Sequence, residues 1–246
     1  MARRALVWRY YISIRIEAEL MDLSLVTALN SAKAHRIPVV EIINLVTGSQ
    51  ELLRAADCVD GAVAEAARRA LTDGLSSRTE IDGIPYFLNV HRPAIRLLII
   101  GAVHIAQSLA PMAIRAGMET IVIDPREAFA TEDRFPGVVV LPAWPDEAFE
   151  ELSVDANTAI VALSHDPKID DPAVEKALRA GSFYIGALGS SRTHVARMER
   201  LRAEGFEQSL LERIRGPIGL DIGAREPGEI AVAILAEIIA HRRSKI

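Results

Sequence analysis

The 246-residue chain has one cysteine, Cys58, so it can form no internal disulfide and no multi-cysteine zinc site. A reducing cytoplasm is the expected location. Basic charge is not gathered into runs either. The net charge is −5, and Lys and Arg cluster no further than short pairs such as Arg242-Arg243, which argues against nucleic acid as a partner. No apolar stretch approaches the length of a transmembrane helix, so no membrane span is expected. Internal repeats and low-complexity tracts are absent. What remains is the profile of a globular protein, 50% hydrophobic and 25% charged, long enough for one large α/β domain and a smaller partner.

The first residues need separate treatment. Arg3 and Arg4 precede Ala5-Leu6-Val7-Trp8 in the manner of a signal peptide, but Arg9 and Arg15 break the apolar run and no small-residue cleavage site follows. Residues 1–21 are therefore read as a leader, poorly ordered, ahead of the first helix. Asp22-Leu23-Ser24 can cap a helix to about His35, and the β-branched run Ile37 to Val46 predicts a strand. After the turn Thr47-Gly48-Ser49, Glu51 to Arg54 can return as a short partner strand. An alanine-rich helix from Ala62 to Leu71 stops at Gly74, and Asp82-Gly83 between two apolar segments predicts a hairpin with a type I′ turn. These elements make a small α+β domain over residues 22–93, closing at His91-Arg92-Pro93.

Beyond Pro93 strands and helices alternate. Ile95–Ile100, Thr120–Asp124, Val138–Leu141, Thr158–Leu163 and Phe183–Leu188 read as buried strands. Helices are predicted over Val103–Gly117, Asp171–Ala180, Ser191–Glu204 and Pro227–Arg242. Strands apolar on both faces and spaced by helices predict a Rossmann-like, mostly parallel sheet covered on both sides, occupying residues 94–246. Such sheets bind ligands beyond the strand carboxyl ends, where the strand order reverses.

Four polar clusters follow apolar strands and should meet at that edge. Gly101-Ala102-Val103-His104 opens a helix in the manner of a dinucleotide fingerprint, but Val103 stands where the second glycine would admit a pyrophosphate. Asp124-Pro125-Arg126 ends the next strand where a ribose-binding acid is expected, although it is also a good turn sequence. His165, Asp166 and Lys168 lead the third cluster, with Asp170 and Asp171 behind them. These oxygens could gather round a hard cation, or Asp170-Asp171-Pro172 could simply begin a helix. In the fourth cluster Gly186, Gly189, Ser190 and Arg192 combine free backbone N–H groups with a guanidinium as an anion cradle, while a plain N-cap also accounts for Ser190. Asp221 sits in a further rigid loop, Gly216 to Ala224. Cys58, among alanines, is either an inert thiol or a reactive one.

Several blocks together carry a family resemblance: Gly101-Ala-Val-His104-Ile-Ala-Gln107, Asp124-Pro-Arg126, Phe129-Ala-Thr131-Glu-Asp-Arg134-Phe-Pro136, Ser164-His-Asp166-Pro-Lys168, Tyr184-Ile-Gly-Ala-Leu-Gly-Ser190 and Pro217-Ile-Gly-Leu-Asp221-Ile-Gly223. From about Ile95 onward the chain resembles the C-terminal Rossmann-like domain of the XdhC/CoxI family. That resemblance implies a maturation factor that binds molybdenum cofactor, supports its sulfuration with a cysteine desulfurase, and delivers it to a molybdenum hydroxylase such as xanthine dehydrogenase. It implies a chaperone, expected as a homodimer, rather than a catalyst. Gly101, His104, Asp124, Arg126, His165, Asp166, Lys168, Gly186, Gly189, Ser190, Arg192 and Asp221 are then the candidate cofactor-binding residues. The family's Gly-Gly-Cys followed by glutamate is replaced here by Ala56-Asp57-Cys58-Val59-Asp60, which keeps only the thiol, so Cys58 is a candidate sulfur-handling group. The competing reading is an NAD(P)-dependent oxidoreductase using the same crevice, opposed by Val103 and by the lack of a Tyr-x-x-x-Lys proton-transfer pair. A metal-dependent enzyme centred on His165 is a third.

Overall fold

A computed structural model describes residues 23–58 and 60–243; the expected leader over 1–21 lies outside them. The chain divides into two compact units after Pro93. In the first unit, α1 (Leu23–Ala34) leads into an antiparallel sheet of β1 (Val39–Asn44), β2 (Gln50–Arg54), β3 (Ser77–Ile81) and β4 (Ile84–His91), with α2 (Ala62–Asp73) between β2 and β3. The order is β2-β1-β4-β3, and Val39 faces Arg54 on one side and His91 on the other. Asn44 Oδ1 accepts from the amides of Val46 and Thr47 at 2.9 and 3.0 Å, which folds β1 back into β2. Asp82 and Gly83 join β3 to β4 with φ of 51° and 77°, the pair of positive values that a type I′ hairpin demands. Val40, Ile42 and Leu88 pack from the sheet against Ala67, Ala70 and Leu71 of α2, with Cys58 in the same core.

The second unit is a six-stranded sheet whose strands pair in parallel throughout. Its strands are β5 (Arg96–Ile100), β6 (Glu119–Ile123), β7 (Val139–Leu141), β8 (Thr158–Ala162), β9 (Tyr184–Ala187) and β10 (Ile214–Arg215). Their spatial order is β10-β9-β8-β5-β6-β7. Helices α3 (His104–Arg115) and α8 (Pro227–Arg242) cover one face; α4 (Pro145–Leu152), α5 (Pro167–Arg179), α6 (Ser191–Ala203) and α7 (Gln208–Leu211) cover the other. The pleat sends alternate residues to opposite faces. Leu97 and Ile99 pack with Leu109 of α3 and Ile234 of α8, whereas Leu98 and Ile100 pack with Phe149 of α4 and Val174 of α5. This explains why every residue of β5 and β8 is buried. Arg96 is buried as well, because its guanidinium donates to the Leu152 carbonyl at 2.6 Å and to Glu119 at 3.2 Å.

The Rossmann-like, mostly parallel architecture read from the sequence is therefore present. The exact starts of some elements differ. Helix α5 begins at Pro167 and not at Asp171, because Asp166 caps it by accepting from the Lys168 amide at 2.9 Å while Pro167 takes the first helical position. Pro172 then lies inside the helix. Helix α4, α7 and the two-residue β10 are additional to the sequence reading.

From β5 the chain winds outward through β6 and β7, then returns to place β8, β9 and β10 on the other side. The strand order thus reverses between β5 and β8, and the loops at their carboxyl ends form the crevice where this architecture takes ligands.

Candidate functional site

The glycine turn after β5 and the loop after β8 are packed together at this reversal. Gly101 has φ of 104°, and a Cβ there would lie 2.7 Å from the backbone N of Ser164 and 2.8 Å from its Cα. Gly101 is thus required by a backbone-to-backbone approach as well as by its own conformation. Val103 then serves as the non-helical residue before α3, with φ of −95°, and His104 opens the helix at the surface.

Asp124, directly after β6, is fully buried. Its Oδ2 accepts from the Ala102 amide at 2.7 Å and from Arg126 Nη2 at 2.7 Å; its Oδ1 accepts from the Arg126 amide and Nε, both at 2.9 Å. Burial pushes the Asp124 pKa up, but the hydrogen bonds from Arg126 and Ala102 outweigh it and hold the carboxyl below the usual range. The acid read as a possible ribose or pterin acceptor is spent on clamping the glycine turn to its own strand end. Arg126 in turn lies over the Phe129 ring at 4.7 Å, and Arg134 approaches the same ring at 5.4 Å. Arg134 also donates to the Phe129 carbonyl at 2.9 Å, and Gln107 of α3 donates to the Arg134 carbonyl at 3.2 Å, which ties this loop to the helix. The bond to Asp124 raises the Arg126 pKa against burial, and the charges of Asp166 and Asp170 add to it. The β6 and β8 loops therefore face one electrostatic environment.

After β8, Ser164 is buried and accepts from the Asp166 amide at 3.1 Å while donating to Asp170 Oδ1 at 2.7 Å. His165 takes φ of 64° between them, an uncommon conformation in which His is enriched among non-glycine residues, and is exposed. Asp170 is buried against Arg197 at 3.4 Å, and Asp171 accepts from Arg197 at 2.9 Å and Arg200 at 2.6 Å. Burial raises the Asp170 pKa, with Ser164 and Arg197 opposing it. These two acids anchor α6 to α5. Among the described residues no group of three or more His, Cys, Asp and Glu is arranged to hold a metal ion.

The β9–α6 loop divides its candidates into two kinds. Gly186 has a packing duty: a Cβ there would lie 2.5 Å from Ile218 Cδ1 and 2.7 Å from the Tyr184 hydroxyl. Ser190 is the N-cap of α6 and accepts from the Thr193 amide at 3.2 Å. The amides of Ser191 and Arg192 are at the positions where a helix start offers unpaired donors, and the Arg192 side chain is exposed beside them. Lys168, in the first turn of α5, is exposed as well, and Gly189 between β9 and α6 has φ of 145°. Asp221 is exposed in the segment before α8. That segment is fastened to α8 by the Gly219 amide donating to Glu237 at 2.8 Å and the Leu220 amide donating to the Ala233 carbonyl at 3.2 Å.

Glu237 also accepts from the Tyr184 hydroxyl at 2.5 Å, both groups being buried. Burial and this bond push the Tyr184 pKa well above the phenol range. Sequence reasoning misses this pair; the available signal is a lone carboxylate inside the otherwise apolar run Ile230 to Ala240. In the first unit, Cys58 is buried and its Sγ donates to the Arg54 carbonyl at 3.4 Å. Burial raises the thiol pKa, with Arg68 pulling against it, so the sulfur is held as a thiol rather than a thiolate in this conformation.

An open parallel sheet with this strand order, and with helix starts and glycine turns gathered at its switch point, defines a Rossmann-type ligand-binding domain. The sequence pattern described as the XdhC Rossmann domain matches residues 97–238, more than half of the chain, and the chain belongs to that family. An Escherichia coli protein named molybdenum cofactor insertion chaperone PaoD is 32% identical over 151 residues, 61% of this chain and 41% of its own. A Bacillus subtilis protein named as a probable xanthine dehydrogenase component is 32% identical over 158 residues, 64% of this chain and 46% of its own. This chain spans less than half the length of these curated relatives. A crystal structure described as a xanthine dehydrogenase from Bacillus halodurans superposes with a TM-score of 0.64 at 21% identity, covering 91% of this chain and 65% of that one; it shares the fold. Among the described residues no helix is long and apolar enough to cross a membrane.

Proposed function

We propose that this chain binds molybdenum cofactor as cargo at the β5–β8 switch point and supports its sulfuration and insertion into a molybdenum hydroxylase such as xanthine dehydrogenase. The observation that carries the reading is the division of labour around the crevice. The acid that would hold a ribose is internally saturated, whereas Lys168, Arg192 and the start of α6 remain exposed to an anion. That donor set suits a phosphate-bearing ligand that brings no ribose to the β6 edge, and a pterin phosphate is such a ligand. The insertion chaperone named among the relatives supports the same cargo. On this reading the chain acts as a cytoplasmic chaperone, served by a cysteine desulfurase and paired with a second copy of itself. Cys58 handles sulfur only after its loop opens, because its burial raises the thiol pKa.

The β7-β6-β5-β8-β9-β10 order also accommodates NAD(P), and that is the alternative the experiment must separate. Arg192→Ala should weaken retention of molybdenum cofactor about tenfold, the worth of one charge-assisted phosphate contact of ~1.4 kcal/mol. Retention would be read as pterin fluorescence after oxidation of the re-isolated protein. Unchanged retention would remove the phosphate role from the α6 start.

A further inference from the structure

In dinucleotide-binding sheets the acid at the end of the second strand presents its two oxygens to the hydroxyls of a ribose. Here that position is Asp124, and each of its oxygens is occupied by a nitrogen of one guanidinium, Arg126 Nε on Oδ1 and Nη2 on Oδ2. A guanidinium fork and a vicinal diol offer a carboxylate the same thing: two parallel donors a short distance apart. The Ala102 amide, which the turn could otherwise offer to a ligand, is taken by the same carboxylate.

Arg126 is held there from three directions. Its own amide bonds Asp124, its guanidinium lies on Phe129, and Phe129 is bracketed on the other side by Arg134. The Arg126 side chain is 38% exposed while Asp124 is 0% exposed, so the arginine forms the outer surface of a site whose acid lies beneath it. We propose that Arg126 is a resident plug of the ribose subsite: it occupies Asp124 as a nucleoside diol would, and so makes this crevice select against adenine nucleotides. This goes beyond the cargo reading and stands or falls independently of it, since it concerns what the β6 edge refuses.

The test is equilibrium binding of ADP-ribose, ADP and 2′-deoxy-ADP to the full chain and to Arg126→Ala, with Arg126→Gln as a second variant. Gln keeps one donor on Asp124 and so protects the fold while freeing one oxygen. The plug predicts little or no binding by the unaltered chain. It predicts a gain of about tenfold or more for ADP-ribose and ADP in Arg126→Ala, a smaller gain in Arg126→Gln, and no gain for 2′-deoxy-ADP. The last arm matters because a merely loosened crevice would admit both nucleotides alike. Comparable ADP-ribose binding before and after substitution, no gain in either folded variant, or equal gain for the deoxy analogue would overturn it. So would selective binding of 2′,5′-ADP by the unaltered chain, which would make Arg126 a phosphate reader. Loss of pterin retention with the nucleotide result intact would count against the cargo reading alone.

Discussion

Gly101→Ala tests whether the glycine turn is held by a backbone contact or merely by convention of the motif. The new Cβ would meet two main-chain atoms of Ser164, at 2.7 and 2.8 Å, and main chain at the end of a central strand cannot swing aside. Residue 101 would also have to keep φ of 104°, which costs an L-residue roughly 1–2 kcal/mol. Forcing a methyl into a packed interior adds about 1–3 kcal/mol. The sum, about 2–5 kcal/mol, is a large share of a typical domain stability of ~5–15 kcal/mol. At ~2–4 °C per kcal/mol for a domain of this size, the melting temperature should fall by about 4–20 °C. Gly117→Ala is the matched comparison, since its φ is 81° but its Cβ would meet nothing within 4 Å. It should show the conformational cost alone, about 1–2 kcal/mol. Urea unfolding followed by far-ultraviolet circular dichroism reads both. Equal losses in the two variants would refute the close approach of the β5 turn to Ser164.

Two further predictions concern groups whose roles the structure reassigns. Asp124→Asn should destabilise the second unit by about 2–3 kcal/mol, less than for a fully buried ion pair because Arg126 is partly solvated. The Asp124 pKa is depressed in the fold, so its contribution is complete above its ordinary value of 3.8 and is lost as the pH falls through the lower folded value. The gap between variant and parent should therefore narrow below about pH 4 in acid unfolding curves; a constant gap would contradict the clasp. Tyr184→Phe removes the buried hydroxyl donor to Glu237 and should cost about 1–3 kcal/mol in the same urea assay, while a cost near zero would mean the bond is not formed in solution.

The parallel sheet is legible in the sequence because β5 and β8 are apolar at nearly every position, and only a strand covered on both faces needs that. The β3–β4 hairpin is legible from the Asp82-Gly83 pair for an equally local reason. The start of α5 is not, because Asp170-Asp171-Pro172 imitates a helix start while the true one, Asp166-Pro167, lies four residues earlier. The clusters that meet at the crevice follow from strand ends and topology. What their side chains do there depends on partners the chain brings back from elsewhere. Asp170 and Asp171 find Arg197 and Arg200 on α6, Gly186 makes room for Ile218, and Tyr184 finds Glu237 on α8. Asp124 is the instructive case. Its partner is only two residues away, yet nothing in Asp-Pro-Arg says that the arginine will fold back on the acid rather than leave it to a ligand.

The central claim is that this crevice accepts a phosphate-bearing pterin and refuses a nucleotide. It is tested most directly by incubating the full chain anaerobically with molybdenum cofactor in the presence and absence of excess NADH, re-isolating it, and measuring pterin fluorescence after oxidation. The account predicts stoichiometric pterin retained at the same level in both samples. Pterin that never stays with the protein, or that NADH displaces, would contradict it.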